Sequence, residues 1–387
     1  MLADAVHRPL DPVLPQAEAH QELVMPFTQG LEGHASLHEN ATRHEIAKRI
    51  ARLKGGQFSA EIPVEMWAVR PYLVPSETLV GVRSAEQLGV LGEDDFLGGV
   101  VPQAFVATKA ITHPLVSRQA AAPKGWSHDF PSMVADAVLP GLTAFSRQDA
   151  LQAAEQMLRL GPVRIKAVWE TGGRGQSVAA DMGAAKSALA EINDAVLAEH
   201  GVVLEHDLSN VETLSIGQVR VAGIVASYHG TQKLTPNNTG SMAYGGSDLT
   251  VVRGGFEALL DRTPAGPLRM AVDQALLYDT AVRACFPGFF ASRTNYDVAQ
   301  GLNAAGRWCS GVLEQSWRIG GATPAEIAAL EALHADPELQ TVRVSCTERY
   351  GPHNAPSGAA TVYFQGEDPE VGLLIKYAEV EIDGNKA

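Results

Sequence analysis

The sequence predicts a mixed fold, in which α/β and α+β units are combined in one chain of 387 residues. Strand-like and helix-like segments alternate over about the first hundred residues, which is typical of a small α/β unit. Beyond them, helices are mixed with several strands that look antiparallel. With 45% hydrophobic residues, a chain of this length builds a core easily and favours two or three structural units over one.

The helices are predicted from apolar spacing and end signals. The run 44–53 has apolar residues at helical spacing, and Gly55 follows its end. A second helix begins at Arg147, where Ser146 is a suitable N-cap, and ends before Gly161. Further helices are predicted within 84–96, 184–201, 256–262, 270–285 and 324–333.

The strands are predicted from short apolar or alternating runs bounded by turn residues. They fall in the segments 66–75, 162–170, 202–208, 211–230, 289–299, 311–319, 341–350 and 361–366. The first forty residues show no clear periodicity and are predicted to form an extended lead-in. No internal repeat is visible in the sequence.

Charge and cysteine content exclude several classes of protein. The formal net charge of −14 and the lack of a basic run argue against binding to nucleic acid or to anionic membranes. Three scattered cysteines provide neither a disulfide framework nor a zinc motif. The N-terminus does not resemble a signal peptide, and no window approaches a membrane span. We therefore expect a cytoplasmic protein.

The clearest chemical motif is a lysine on a strand followed by a glycine turn. Lys166 is predicted on the strand 162–170, and Gly172, Gly173 and Gly175 follow it. A lysine supplies a point charge for a phosphate, and glycines allow backbone N–H groups to approach phosphate oxygens. The pattern matches neither the Walker loop nor the dinucleotide fingerprint. A tight hairpin turn explains these glycines equally well.

Two later strands place acidic and amide side chains on one face each. If the segment 292–297 is extended, alternation puts three polar residues on the same face: Arg293, Asn295 and Asp297. The same holds in the next strand for Glu314, Ser316 and Arg318. If these strands are neighbours, their oxygens could bind magnesium while the arginines neutralise a phosphoryl group.

In their order and spacing, these motifs resemble the ATP-grasp superfamily, which includes biotin carboxylase and D-alanine–D-alanine ligase. The phrases GPVRIKAVWETGGRGQ, GQVRVAGIVASYHGTQ, YGGSDL, SRTNYDVAQG and GVLEQSWRIGG are most similar to an uncharacterised bacterial family that is biotin-carboxylase-like. The resemblance covers residues 100–380. It implies an ATP-grasp fold, two α+β subdomains clasping ATP, preceded by a small α/β domain.

The resemblance also implies domain bounds and site residues. The domains would be an N-terminal domain (1–100), a first ATP-grasp subdomain with a glycine flap (101–205) and a C-terminal subdomain with the metal-binding strands (206–387). The residues implied to bind ATP are Lys109, Lys166, Gly172, Gly173, Gly175, Glu205, His206, Leu208 and Glu212. The implied magnesium ligands are Asp297 or Asn295, Glu314 and Ser316, and the implied catalytic arginines by the transferred phosphate are Arg318 and Arg293.

The last of the two strands departs from the family pattern Glu-x-Asn-x-Arg. Ser316 occupies the position of the asparagine, and a hydroxyl is a weaker magnesium ligand than an amide carbonyl. Glu314 also follows Asp297 by 17 residues, more than the common spacing, and we expect the segment 300–311 to form a loop that absorbs the excess.

Several residues have alternative interpretations. Lys109 is also compatible with a surface lysine, Glu205 with a strand-end cap, and Arg293 and Arg318 with internal salt bridges. The glycine-rich stretch 237–248 is either a loop facing the acceptor substrate or a cluster of plain turns. The histidines, which do not share a metal-ligand spacing, favour ordinary polar contacts over a metal cluster: His38, His44, His113 and His128.

The predicted function is that of an ATP- and magnesium-dependent ligase. It would activate a carboxylate as an acyl phosphate, which an amine or other nucleophile such as a thiol then attacks. The expected partners are small-molecule substrates, and a homodimer is compatible with this function. Two alternatives remain open at this point: a regulatory ATP-binding module without ligation, which Ser316 and Asn295 favour, and a kinase acting on a small alcohol.

Overall fold

Four β-sheets and the helices that cover them make up the structure. It is a computed structural model, and it describes residues 22–28, 36–61, 70–168, 175–354, 356, 358 and 360–381. The predicted extended lead-in lies largely outside the described residues.

The N-terminal part contains two small sheets. Its elements are β1 (Leu23–Phe27), α1 (Leu37–Leu53), β2 (Gln57–Phe58), β3 (Tyr72–Pro75), β4 (Leu79–Val80), α2 (Val82–Gln87) and β5 (Gly99–Val101). Strand β1 pairs in parallel with β2 on one side and β3 on the other. Helix α1 begins seven residues before the predicted start at His44, and Ile46 and Ile50 are buried as their helical spacing predicts. This alternation of strand and helix is the α/β unit expected from the sequence.

The middle part is a four-stranded antiparallel sheet with helices packed against it. Two short 3-10 helices (Ala104–Ala107 and Lys109–Thr112) precede α3 (Phe130–Met133), β6 (Gly141–Ala144), α4 (Arg147–Leu158), β7 (Val163–Ala167), β8 (Gln176–Ala179), α5 (Met182–Ala190), α6 (Asp194–His200) and β9 (Val202–His206). The strand order is β6-β9-β7-β8. The single helix predicted over 184–201 is two helices, because Asn193 leaves the helical conformation and its side chain caps α6.

The C-terminal part is an eight-stranded antiparallel sheet. Its elements are β10 (Ser209–Val221), β11 (Ile224–Pro236), β12 (Met242–Arg253), α7 (Phe256–Arg262), α8 (Pro267–Cys285), β13 (Phe290–Ala291), β14 (Arg293–Leu302), β15 (Trp308–Ser316), α9 (Thr323–Ala335), β16 (Thr341–Tyr350), β17 (Thr361–Asp368) and β18 (Gly372–Glu381). The strand order is β15-β14-β10-β11-β12-β16-β18-β17, while β13 pairs instead with β5 of the N-terminal part. The mixed class predicted from the sequence is confirmed.

Helices cover both faces of the large sheet. On one face, α8 packs against β14, where the rings of Tyr278 and Tyr296 lie 5.5 Å apart between centroids. On the other face, α9 and the N-terminal helix α1 share one apolar core that includes Ile50 and Leu330. The alternating side chains of β14 are therefore divided between two layers.

Strands β14 and β15 are neighbours at the edge of the large sheet, as the candidate metal motif requires. Asn295 pairs with Ser316 and Asp297 pairs with Glu314 in the ladder, with a bulge immediately after the second pair. The segment 300–311, predicted as a loop, is instead mostly strand: the hairpin simply continues to a turn at Asn303–Arg307. The 17-residue spacing is the length of this hairpin.

The polar stretch 237–248 is not a single loop. Only 237–241 forms a turn, closed by the side chain of Asn237, and the remainder belongs to β12. The amide of Asn238 donates to the carbonyls of Val371 and Leu373 in the neighbouring hairpin. This favours the turn interpretation, because the polar groups at its tip bind the protein itself.

The passage from the middle sheet to the large sheet is short. Strand β9 ends at His206 and β10 begins at Ser209. Among the described residues, no helix has both the length and the apolar character needed to cross a membrane.

The N-cap of α4 provides a test of the local signals. Ser146 Oγ accepts a hydrogen bond from the Asp149 backbone N–H at 3.1 Å, as its position in the sequence predicts. Ser146→Ala leaves this donor without its partner and should lower the free energy of unfolding by about 1 kcal/mol. Urea unfolding measures the loss. Ser187→Ala, which removes an exposed hydroxyl inside α5, is the control and should be nearly neutral; an equal loss in both variants would contradict the cap.

Candidate functional site

A lysine from the 3-10 helix and a glutamate from the large sheet meet at the centre of the molecule. Lys109 is 5% exposed, and its Nζ lies 2.5 Å from Glu314 Oε2 on β15. The side chain of Glu314 is 33% exposed, so this end of the pair remains open to solvent. Lys109 is therefore not a surface lysine, and it reaches Glu314, one of the residues implied as magnesium ligands.

The second predicted lysine lies close by in an ion pair of its own. Lys166 on β7 pairs with Glu205 on β9, and both side chains are almost completely buried. His113 Nε2 lies 3.3 Å from the other oxygen of Glu205. Gly141 leaves room for the imidazole, because a Cβ there would fall 2.7 Å from the ring of His113. Three charged or polar groups from separate segments thus occupy one buried site.

The electrostatics of this site favour the ionised carboxylates. Burial alone would raise the pKa of Glu205, but the Lys166 ammonium and the His113 imidazole hold it at about 2. Burial likewise opposes ionisation of Glu314, and Lys109 is the largest of the charges that lower its pKa. Lys166 and Arg318 lower the pKa of Glu314 further, which places all three cations within electrostatic reach of one carboxylate.

Asp297 lies directly across the strand pair from Glu314. Burial, followed by the negative charge of Glu314, raises the pKa of Asp297 to about 6. Its Oδ1 accepts hydrogen bonds from Gln232 Nε2 at 2.7 Å and from Asn295 Nδ2 at 2.9 Å. Two carboxylates that repel each other in this way are a suitable donor set for a divalent cation, whose charge would relieve the repulsion.

The donor set is limited to these two acids. Among the residues that the structure describes, no group of three or more His, Cys, Asp or Glu side chains is arranged to hold a metal. Magnesium is commonly held by one or two carboxylates together with waters and substrate phosphates, so Asp297 and Glu314 fit that ion.

The two arginines predicted as catalytic have different environments. Arg293 is 1% exposed and forms a bidentate ion pair with Glu326 of α9, with N–O distances of 2.7 and 2.8 Å. Its remaining Nη1 donates to the backbone carbonyls of Ser316 and Arg318. Every nitrogen of this guanidinium is used inside the protein, which corrects the expectation that Arg293 contacts a phosphate. The internal salt bridge is the arrangement observed.

Arg318 remains partly accessible. Its side chain is 30% exposed and pairs with the exposed Glu77 at 3.2 Å. Ser316, by contrast, lies with its Oγ 3.5 Å from Arg293 Nη1 and opposite Asn295. The hydroxyl of Ser316 is therefore engaged with an arginine, whereas Arg318 is the arginine that a bound anion can reach.

The segment 205–208, which the resemblance implies to be the hinge strand that meets the adenine edge, lies between the middle sheet and the large sheet. The backbone N–H of His206 donates to Pro140, and Leu208 is buried against Leu139 and Ala299. Glu212 is exposed on β10 opposite Gln300, away from the ion pairs described above. The hinge residues are thus brought next to the site, whereas Glu212 is not.

The glycine turn is described only at its end. Gly172 and Gly173 lie outside the described residues. Gly175 precedes β8 with a φ of +62°, a conformation that favours glycine, and its carbonyl accepts a hydrogen bond from Ala167. Strands β7 and β8, which flank this segment in the sequence, pair in antiparallel register.

Sequence reasoning missed several polar residues that contact the site. Tyr228 and Gln232 lie in one of the phrases that carry the resemblance, which assigns them no role, and Glu326 lies in a helix without a motif. Only the folded structure brings these residues to Asn295, Asp297 and Arg293. In the sequence, His113 is only one of several scattered histidines. For Glu326 the available signal is a single polar residue in an apolar stretch, since buried polar groups require partners.

Comparisons with known proteins place the chain in a family. The family model described as a protein of unknown function (DUF3182) matches residues 27–378. The chain belongs to this DUF3182 family. None of the curated proteins compared with it matches in sequence.

Solved structures show which fold this DUF3182 member has. It is similar to the biotin carboxylase domain of Hydrogenobacter thermophilus 2-oxoglutarate carboxylase, a dimer in complex with MgADP, ADP and bicarbonate, with 13% identity, a TM-score of 0.53 and coverage of 94% of this chain and 86% of that one. It is also similar to Staphylococcus aureus N5-carboxyaminoimidazole synthetase complexed with ADP, with 10% identity, a TM-score of 0.50 and coverage of 94% and 95%. The predicted ATP-grasp fold is confirmed.

The buried pair of Lys166 and Glu205 should make the fold sensitive to acid. Because the folded pKa of Glu205 is about 2, below its ordinary value of 4.5, its ionised form stabilises the protein fully above 4.5, and this contribution is lost as the pH falls towards 2. In the double variant Lys166→Met/Glu205→Gln, the drop in unfolding free energy between about pH 6 and about pH 3 should be smaller than in the wild type by about 2 kcal/mol.

Urea unfolding at both pH values measures this difference. The control is Glu155→Gln/Arg159→Gln, which neutralises an exposed pair on α4 and should retain the acid sensitivity of the wild type. An unchanged drop in the Lys166→Met/Glu205→Gln variant would contradict the assigned role of the pair.

Proposed function

We propose that this protein is an ATP- and magnesium-dependent ligase that activates a carboxylate as an acyl phosphate. The observation that carries the proposal is the convergence of Lys109, Lys166 and Arg318 around Glu314, with Asp297 opposite. Three cations and two acids in one place are what a magnesium-bound triphosphate requires. The ATP-grasp fold and the nucleotide complexes of its structural neighbours support the same choice of ligand.

Each site residue is assigned a role from its position in the structure. Lys109 and Lys166 would exchange their present carboxylate partners for phosphate oxygens, and the connection between β7 and β8 would cover the phosphates. Asp297 and Glu314 would hold magnesium, which supplies neutralisation of the phosphate charge. His206 and Leu208 would meet the adenine, and Glu205, which His113 contacts, would lie near the base or the ribose.

The chemical role of the protein is positioning and charge neutralisation. In phosphoryl transfer the charge is spread over the oxygens of the moving group, so fixed cations around it lower the barrier. Arg318 follows the end of β15, is partly exposed and lowers the pKa of Glu314, and it would stabilise the transferred phosphoryl group. An amine or thiol would then displace phosphate from the acyl phosphate.

The assembly and the cellular location belong to the same proposal. A small-molecule carboxylate and a nucleophile are its substrates, a homodimer is its possible assembly, and the cytoplasm is its location. The acidic surface, with a net charge of −14, supports small substrates over nucleic acid.

Screening for the reaction separates this proposal from its alternatives. With pooled carboxylates and amines, magnesium-dependent release of ADP and trapping of an acyl hydroxamate by hydroxylamine are expected. ADP release without hydroxamate would indicate a kinase instead. ATP binding without any turnover would indicate a regulatory module, the alternative that Ser316 favours because it replaces a stronger metal ligand.

Lys166→Ala tests the phosphate contact. Removing the ammonium should weaken ATP binding about tenfold or more, since hydrogen bonds to charged groups contribute about 1.5–3 kcal/mol each. Calorimetric titration with a non-hydrolysable ATP analogue measures the affinity. Lys186→Ala removes an exposed lysine from α5 of the same part of the chain and should bind as the wild type does. Unchanged affinity in Lys166→Ala would argue against the nucleotide site.

Glu314→Gln tests the metal assignment. It keeps the shape of the side chain but removes the charge that would hold magnesium, so turnover should fall by at least about a hundredfold while nucleotide affinity without metal changes little. Steady-state ADP release and calorimetry give the two quantities. Glu367→Gln, an exposed acid on β17 of the same sheet, is the control. Full activity in Glu314→Gln would remove the basis for this metal site.

A further inference from the structure

A continuous network of buried polar groups connects helix α9 to the predicted metal site. It begins at Glu326, which is completely buried and bonded to Arg293. The hydroxyl of Tyr228 on β11 lies 2.6 Å from Glu326 Oε1 and 2.8 Å from Asn295 Oδ1. The amide of Asn295 donates to Asp297, the carboxylate opposite Glu314.

The network fixes the orientation of the Asn295 amide. Its Oδ1 lies near two hydroxyls, those of Ser215 at 2.6 Å and of Tyr228 at 2.8 Å. A hydroxyl can donate or accept, whereas the ionised carboxylate of Asp297 only accepts, so the NH₂ group of Asn295 must point towards Asp297 and its Oδ1 towards the hydroxyls. One oxygen of Asp297 is therefore held at a fixed place.

The same network holds the strand end that carries Arg318. Arg293 donates to the backbone carbonyls of Ser316 and Arg318, while its other nitrogens are fixed by Glu326. The backbone at the end of β15 is thereby tied to α9. A buried ion pair of this kind contributes little net stability compared with apolar packing, so its geometric effect is the more informative one.

We propose that Tyr228 and Glu326 are positioning residues, which act through Asn295 and Arg293 to orient Asp297 for magnesium and the backbone of Arg318 for the phosphoryl group. The proposal rests on the proposed function. It also accounts for the asparagine on β14: Asn295 serves as a hydrogen-bond donor that aims the neighbouring carboxylate. Partners of metal ligands have this effect in many metal sites, where their loss costs about 10–100-fold in metal affinity.

Tyr228→Phe is the sharpest test, because it removes one hydroxyl and keeps the buried ring. We expect the magnesium concentration that gives half-maximal tightening of ADP binding to rise about tenfold. The affinity for ADP in excess EDTA should stay unchanged, since the nucleotide contacts are intact. Calorimetric titration with ADP over a series of magnesium concentrations measures both quantities.

Tyr363→Phe is the matched control. Tyr363 is also a buried tyrosine, and it donates to the carbonyl of Pro324 at the start of the same helix α9. Its replacement removes a hydrogen bond of similar kind without interrupting the path to Asp297. A general loosening of α9 would therefore affect both variants, whereas the proposed positioning affects only Tyr228→Phe.

Glu326→Gln provides a second variant, with the same expected shift in magnesium dependence; if it does not fold, Tyr228→Phe alone decides. Wild-type magnesium dependence in a folded Tyr228→Phe would overturn the positioning role and leave the proposed function standing. An equal shift in Tyr363→Phe would also overturn it. A wild-type protein that binds no ADP at any magnesium concentration would overturn the proposed function, and this inference with it.

Discussion

Neutralisation of buried charge is the constraint on which the rest of this structure depends. Lys109, Lys166 and Glu205 are almost completely buried, and an unpaired charge in that setting costs several kcal/mol. Each therefore needs a partner from a different segment: Lys109 pairs with Glu314 across to the large sheet, and Lys166 with Glu205 within the middle sheet. The ion pairs that hold the 3-10 helix, the middle sheet and the large sheet together are therefore formed by the same side chains that would bind ATP and magnesium.

Local sequence signals predict those parts of the fold that depend on local energies. The cap at Ser146 and the alternation in β14 are examples, because each is decided within a few residues. Strand β18 is not predicted, since Lys376 interrupts its apolar pattern. Its charge is matched by Glu348, which lies opposite it on β16. The partner of Lys376 can be identified only once β16 and β18 are paired, and the sequence of β18 alone does not contain it.

For the candidate site, the sequence predicts which residue types are present but not which partners they have. Strand periodicity and the family resemblance select residue types that suit phosphate and magnesium, and the structure brings Lys109, Lys166 and Glu314 together. The sequence around a residue does not identify the distant residue with which its side chain pairs. Arg293 has the residue type expected at a phosphate, yet Glu326, distant in sequence, engages it inside the core.

Ser316 and Asn295, the two residues that favour the regulatory-module alternative, have a common physical interpretation. With Ser316 beside Arg293, and Asn295 directed at Asp297, the protein offers two carboxylates to a metal. Magnesium prefers six oxygen ligands and keeps several waters, so the remaining positions fall to water and to phosphate oxygens. A site of this kind would hold the ion weakly until a polyphosphate arrives with it. The scarcity of protein ligands therefore favours a metal that enters with the nucleotide over one that resides permanently in the protein.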